Sequence, residues 1–244
     1  MCSHAAQQPI LAYREHELAE HYDAMWHGAF PAISAGEVIC DPQFASNASD
    51  PRRGLTLIAR LSPQTNRRMT EALATLAAIE PGQYCHPQAD LHLTILSLYT
   101  VSENWQPCAA RLAEYREAVA EALASAPSFT VDSAGITLSK AAVVAQGFPR
   151  DGTLNGIRDR IRATFRRRGL GDSLDQRYRL VTAHSTMLRF VQPLQNPTLF
   201  SERLLDLRGE YFGASTIDSL DLVFNDWYMS SQSLFKIDSY PLDE

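Results

Sequence analysis

Asp90-Leu91-His92-Leu93-Thr94-Ile95-Leu96 and Thr182-Ala183-His184-Ser185-Thr186-Met187-Leu188 carry one signature twice. Each sets a His and a Thr two positions apart and follows them with apolar residues. In a β-strand, residues i and i+2 point to the same face, roughly 7 Å apart. Each stretch therefore presents an imidazole and a hydroxyl side by side. If the two strands are neighbours, two imidazoles and two hydroxyls converge on one small volume, a set suited to acid–base work on a phosphate ester. A single His-x-Thr means little in a chain with 7 His. The placement of both decides the reading.

Outward from the first stretch, Gly54–Leu61 alternates as a strand, and Ser62-Pro63 supplies an N-cap with Pro at the first helical position. Met69, Leu73, Leu76 and Ile79 form the apolar stripe of the helix that follows, and Pro81-Gly82 breaks it before the His92 strand. A helix from near Pro107 carries Cys108, Leu112, Tyr115, Val119 and Leu123, and Pro127 stops it. Phe129–Val131 and Gly135–Leu138 read as strand segments.

The order then repeats. Ala141–Ala145 is a strand, Gly152–Arg168 a helix with Leu154, Ile157, Ile161 and Phe165 inward, and the His184 strand comes next. A helix over Pro197–Tyr211 and strands near Ile217–Phe224 and Ser233–Ile237 complete the chain. Each half is strand, helix, His-strand, helix, strand, and the two His-x-Thr units occupy the same place in their halves. The pattern predicts an α+β, two-lobed, pseudo-twofold duplicated fold. Antiparallel sheets line a central groove, helices lie outside, and the lobes run roughly 54–138 and 139–244.

Residues 1–53 stand apart as an N-terminal extension. Leu18, Tyr22, Met25 and Trp26 fall at helical spacing within Ala12–Phe30, Pro31 and Gly36 close the element, and Asp41–Arg53 reads as a loop. The helix is either a decoration or a cover for the body.

The 244 residues hold enough apolar sequence, 45%, for a core without disulfides or a structural metal. A net charge of −6 supplies no global field for long nucleic acid. Cys2, Cys40, Cys85 and Cys108 show no metal-ligand spacing and read as reduced thiols of a cytoplasmic protein. Met1-Cys2-Ser3-His4-Ala5 lacks the pattern of a secretion signal, and no apolar run is long enough to span a membrane.

With its two motifs, His92-Leu93-Thr94 and His184-Ser185-Thr186, the chain resembles the 2H phosphoesterase superfamily, which includes the 2′-5′ RNA ligase-like proteins. The resemblance covers roughly residues 54–244. It implies a phosphoric diester hydrolase with His92 and His184 as the acid–base pair and Thr94 and Thr186 on the phosphate. His184-Ser185-Thr186-Met187-Leu188-Arg189 also matches the family order His-x-Thr-Leu-x-Arg, which implies a phosphate contact for Arg189. Two departures concern the substrate: Ala183 stands where the ligase-like members usually have Pro, and the N-terminal extension is unusual among them.

The expected reaction is metal- and cofactor-independent hydrolysis of a 2′,3′-cyclic or related cyclic phosphodiester, on a small nucleotide or an RNA 3′ end. Alternatives are an idle nucleotide- or RNA-binding module and an RNA ligase-like activity. His184 is assigned as base and His92 as acid, with the reverse left open. By alternation from His184, Arg189 points to the opposite face, and only a bulge or twist brings it to the phosphate. Tyr84 and His86 are candidate substrate-lining residues against a packed aromatic and a solvated His. Arg158, Arg162 and Arg166, with Arg167 and Arg168, form either a solvated stripe or a grip on RNA phosphates. Trp227 and Tyr228 read as core or sheet-edge residues.

Overall fold

The computed structural model describes residues 7–41, 50–176 and 179–244, with the backbone alone for 7–15. Cys2, the N-terminal pentapeptide and most of the Asp41–Arg53 loop lie outside the described residues. In chain order the elements are α1 (Gln7–Ser34), β1 (Arg53–Ala59), α2 (Pro63–Ile79), β2 (Tyr84–Cys85), β3 (Leu93–Ser102), α3 (Gln106–Ala110), α4 (Leu112–Leu123), β4 (Phe129–Ser139) and β5 (Ala142–Pro149). They continue with α5 (Thr153–Arg167), β6 (Ser185–Arg189), α6 (Pro197–Leu207), β7 (Tyr211–Ile217), β8 (Ser219–Asn225) and β9 (Phe235–Pro241).

The fold is α+β, built on two antiparallel sheets ordered β3-β1-β8-β9 and β2-β6-β5-β4-β7. Each His-strand, β3 or β6, pairs with the first strand of its half, β1 or β5. The strands do not divide at residue 138. β4, from the first half, lies in the second sheet, and β8 and β9, from the end of the chain, complete the first. The sequence pattern does not separate β7 from β8; only Asp218 lies between them, and there the chain passes from one sheet to the other.

Helices are exchanged too. α2, which links β1 to β3, packs on β6, β7 and α6 of the other sheet, whereas α5, which links β5 to β6, packs on α4 and β3. Both crossovers thus bind the two sheets together. Ser62 caps α2 as its sequence suggests, its hydroxyl accepting from the Thr65 N–H at 3.2 Å with Pro63 at the first helical position. The core runs through both sheets and includes Leu55, Leu57, Ile95, Leu138, Ile161, Met187, Phe200 and Leu222, all essentially inaccessible.

The N-terminal segment is part of that core. α1 packs on β4, β5 and α6, and Tyr22, Trp26 and Ile33 are buried. It also runs past Pro31, which ends no helix here. Termination waits for Gly36 at φ +80°, where Gly36 N–H donates to Ile33 O and Glu37 N–H to Ala32 O, a Schellman close. Among the described residues no helix is long and apolar enough to cross a membrane.

Candidate active site

His92 and His184 each stand one residue before their strand, and Thr94 and Thr186 are the second residue of β3 and β6. Both strands then bulge at the same point. In β3, Thr94 faces Ile58 and Leu96 faces Leu57, leaving Ile95 extra. In β6, Thr186 faces Val144 and Leu188 faces Val143, leaving Met187 extra. An extra residue shifts the alternation by one, so positions three apart share a face. Thr94 with Ser97, and Thr186 with Arg189, consequently line the same groove. The bulge at Met187 is what re-aims Arg189. Ser97 is its counterpart in the other half, so the cation stands on one side only.

The groove has a volume of about 650 Å³ and is walled by both sheets, with Thr56, Thr94, Asn225 and Trp227 on one side and Val144, His184, Thr186 and Arg189 on the other. His184 is half-buried on that wall; His92, 9% exposed, stands two residues before the groove-lining Thr94 but is not itself among the lining residues. Each ring is held through Nδ1. That of His92 donates to the Asp90 carbonyl at 2.7 Å, and that of His184 meets the Thr182 hydroxyl at 2.7 Å. Nε2 is left available on both.

Burial pushes His92 down to about 4, opposed by its bond to Asp90 and assisted by the positive charges of Arg60 and Arg189. Burial likewise pushes His184 down to about 4, assisted by Arg158, His92, Arg189 and His21. Both imidazoles are neutral in the free protein at neutral pH. Among the described residues no three His, Cys, Asp or Glu side chains group so as to hold a metal ion.

Other sequence expectations are corrected. Tyr84 and His86 do not line the groove. Tyr84 makes edge contacts with His86 and Tyr228, and His86 is 3% exposed, so it is not a solvated ring. Arg158 and Arg162 are not a surface stripe but are buried, 0% and 3% exposed. Arg162 pairs with Asp175 and Asp159, while Arg167 and Arg168 pair with Glu121 across α4 and α5. Trp227, read as a core or sheet-edge residue, lines the groove, and the Arg189 guanidinium lies 5.8 Å from its ring centre.

α1 reaches this site directly. His21 and Met25 line the groove, and the Tyr22 hydroxyl accepts from the Ala183 N–H at 3.1 Å and donates to Gly147 O at 3.2 Å. Proline has no N–H to give, so the residue before His184 and the N-terminal helix, the two departures seen in the sequence, are joined in one contact. Gly147 makes room for it, because a Cβ there would come 1.9 Å from Ala183 O. Replacing Tyr22 by Phe leaves buried backbone groups unpaired and is expected to cost about 1–3 kcal/mol. Urea unfolding checks this, and an unchanged midpoint would contradict it.

No protein-family model matches the chain, and no curated protein matches it by sequence. Solved structures do. The TT0787 protein of Thermus thermophilus superposes with a TM-score of 0.59 at 17% identity, over 78% of this chain and 97% of its own. A protein described as a phosphoesterase gives 0.53 at 17% identity, over 80% and 100%. The chain has the 2H phosphoesterase fold. Escherichia coli LigT, in its complex with NADP+, shares it with a TM-score of 0.51 at 16% identity, over 79% of this chain and 99% of LigT. About a fifth of the chain lies outside each of these matches of the 2H fold.

Proposed function

We propose that the protein is a 2H phosphoesterase that opens 2′,3′-cyclic phosphodiesters on small nucleotides or RNA ends without a metal ion. One observation carries this reading: two His-x-Thr units sit at equivalent places on equivalent bulged strands, and Thr94, His184 and Thr186 line one groove.

The hydrogen bonds divide the labour between the rings. A carbonyl can only accept, so His92 carries its proton on Nδ1 and keeps a lone pair on Nε2. That suits it to take a proton from water. His184 faces a hydroxyl, which can donate to Nδ1 and leave the proton on Nε2. This reverses the assignment suggested by the sequence. When the phosphodiester anion binds, its charge favours a second proton on His184. Water oxygen then bonds to phosphorus as its proton passes to His92. The bond to the leaving ribose oxygen breaks as His184 protonates it. Thr94 and Thr186 hydroxyls and the Arg189 guanidinium bind the non-bridging oxygens, whose charge changes in the transition state.

A panel of 2′,3′-cyclic nucleotides, 2′-5′ dinucleotides and ADP-ribose cyclic phosphate, assayed in EDTA, tests the reading. Turnover of a cyclic phosphate at full rate in EDTA is expected; a requirement for metal, or no turnover, counts against it. Since kcat/KM follows the free protein's groups and kcat those of the complex, and bound phosphate raises both imidazoles, the kcat optimum should lie at higher pH than the kcat/KM optimum.

A further inference from the structure

Arg158 is the largest of the completely buried side chains, and among the described residues it makes no ion pair. Burial lowers it to about 10, which still leaves it charged at neutral pH. Burying a cation without a counter-ion is strongly unfavourable, so its place in the fold needs a reason. Its bonds supply one. Nε donates to Ile95 O at 2.8 Å, and Nη2 donates to Thr94 O at 3.1 Å and to Thr182 O at 2.8 Å.

These three carbonyls belong to both halves of the site. Ile95 is the extra residue of the β3 bulge, and Thr94 is the groove-lining hydroxyl beside it. Thr182 holds His184 through its own side chain. In β6 the carbonyl of the matching extra residue, Met187, takes the backbone N–H of His86 at 2.9 Å. Of these two bulges, and among the described residues, the β3 bulge is the one satisfied by a side chain that also reaches the other His-x-Thr unit. The guanidinium is planar, with its donors in a fixed fork, so the positions of these carbonyls are set relative to one another.

We infer that Arg158 is a positioning residue, which fixes the spacing between the His92-x-Thr94 and His184-x-Thr186 units from behind the groove. The inference rests on the phosphodiesterase reading for its kinetic arm but not for its spectroscopic one. The charged or titratable groups acting on His184 are Arg158 from α5, His92 before β3, Arg189 on β6 and His21 on α1. Removing Arg158 takes away one of the positive charges that hold His184 neutral.

The test compares Arg158→Lys and Arg158→Met with the intact protein, at a temperature where circular dichroism shows each folded. Lys keeps the charge but cannot span three carbonyls. A misplacement near 1 Å costs on the order of 10²-fold, so kcat on the cyclic nucleotide is expected to fall about 10-fold in the Lys variant and about 100-fold in the Met variant, with KM within about threefold. Histidine NMR titration should show the His184 midpoint raised in Met and near its original value in Lys, with His92 unmoved in both. Variants that lose only thermal stability, with kcat and the His184 midpoint intact, overturn the inference, and so does failure of both to fold. If the intact protein turns over no substrate, the functional reading fails separately. The histidine spectra then decide: displaced ring resonances of His184 in the Lys variant, which keeps the charge, support the positioning role, and resonances in Lys that coincide with those of the intact protein overturn it.

Discussion

His92→Ala and His184→Ala should each lower kcat on a 2′,3′-cyclic nucleotide by about 10³-fold, within the 10²–10⁴-fold range of a positioned general acid or base. Neither ring anchors the core: His184 is half-buried on the groove wall, and His92 holds only its own turn through Asp90 O. Unfolding midpoints should therefore move little at neutral pH. On the proposed mechanism the rings act on one phosphate as a pair, and the double variant should be scarcely slower than either single one. Steady-state kinetics on the four proteins measures this, and additive losses would mean two independent contributions.

Acid should unfold the protein steeply between pH 6.5 and 4. His92 and His184 are held at about 4 and His86 at about 3, all chiefly by burial. Their unfolded value is near 6.5. Between those limits the unfolded chain binds more protons than the folded one, so stability is fully present above pH 6.5 and is lost as pH falls through the folded values. A depression of two units or more is worth about 3 kcal/mol per group, and three such groups rival the whole stability of a typical domain. His86 isolates the effect, since neither ring nitrogen has a hydrogen-bond partner among the described residues. His86→Leu should leave activity at neutral pH intact and move acid unfolding to lower pH. Urea titrations at pH 7.5, 5.5 and 4.5 would show it; parallel pH dependence in the two proteins would contradict it.

The α+β class and the duplicated order of elements were legible because apolar period and turn residues are local signals. So were the paired His-x-Thr units, where residue type and a two-residue spacing carry the chemistry. What depends on register was not. Arg189 faces the groove only because Met187 is an extra residue in β6, and simple alternation does not reveal a bulge. The lobe boundary at 138 misled because β4, β8 and β9 pair outside their own half, a choice made by long-range packing. Arg158 looked like part of a solvated stripe, since its four-residue spacing with Arg162 and Arg166 is that of a polar helix face. Its burial follows from three backbone carbonyls that only the folded chain brings together. Trp227 had no periodic context at all, and its place on the groove follows from the end of β8.

The central claim is that both imidazoles address one bound phosphate. Protein labelled with ¹⁵N-histidine, titrated in EDTA with a nucleoside 2′-monophosphate, tests it most directly. The Nε2 resonances of His92 and His184 should both move along a single saturation curve while both midpoints rise. Movement of one ring alone, or of neither at saturation, would contradict it.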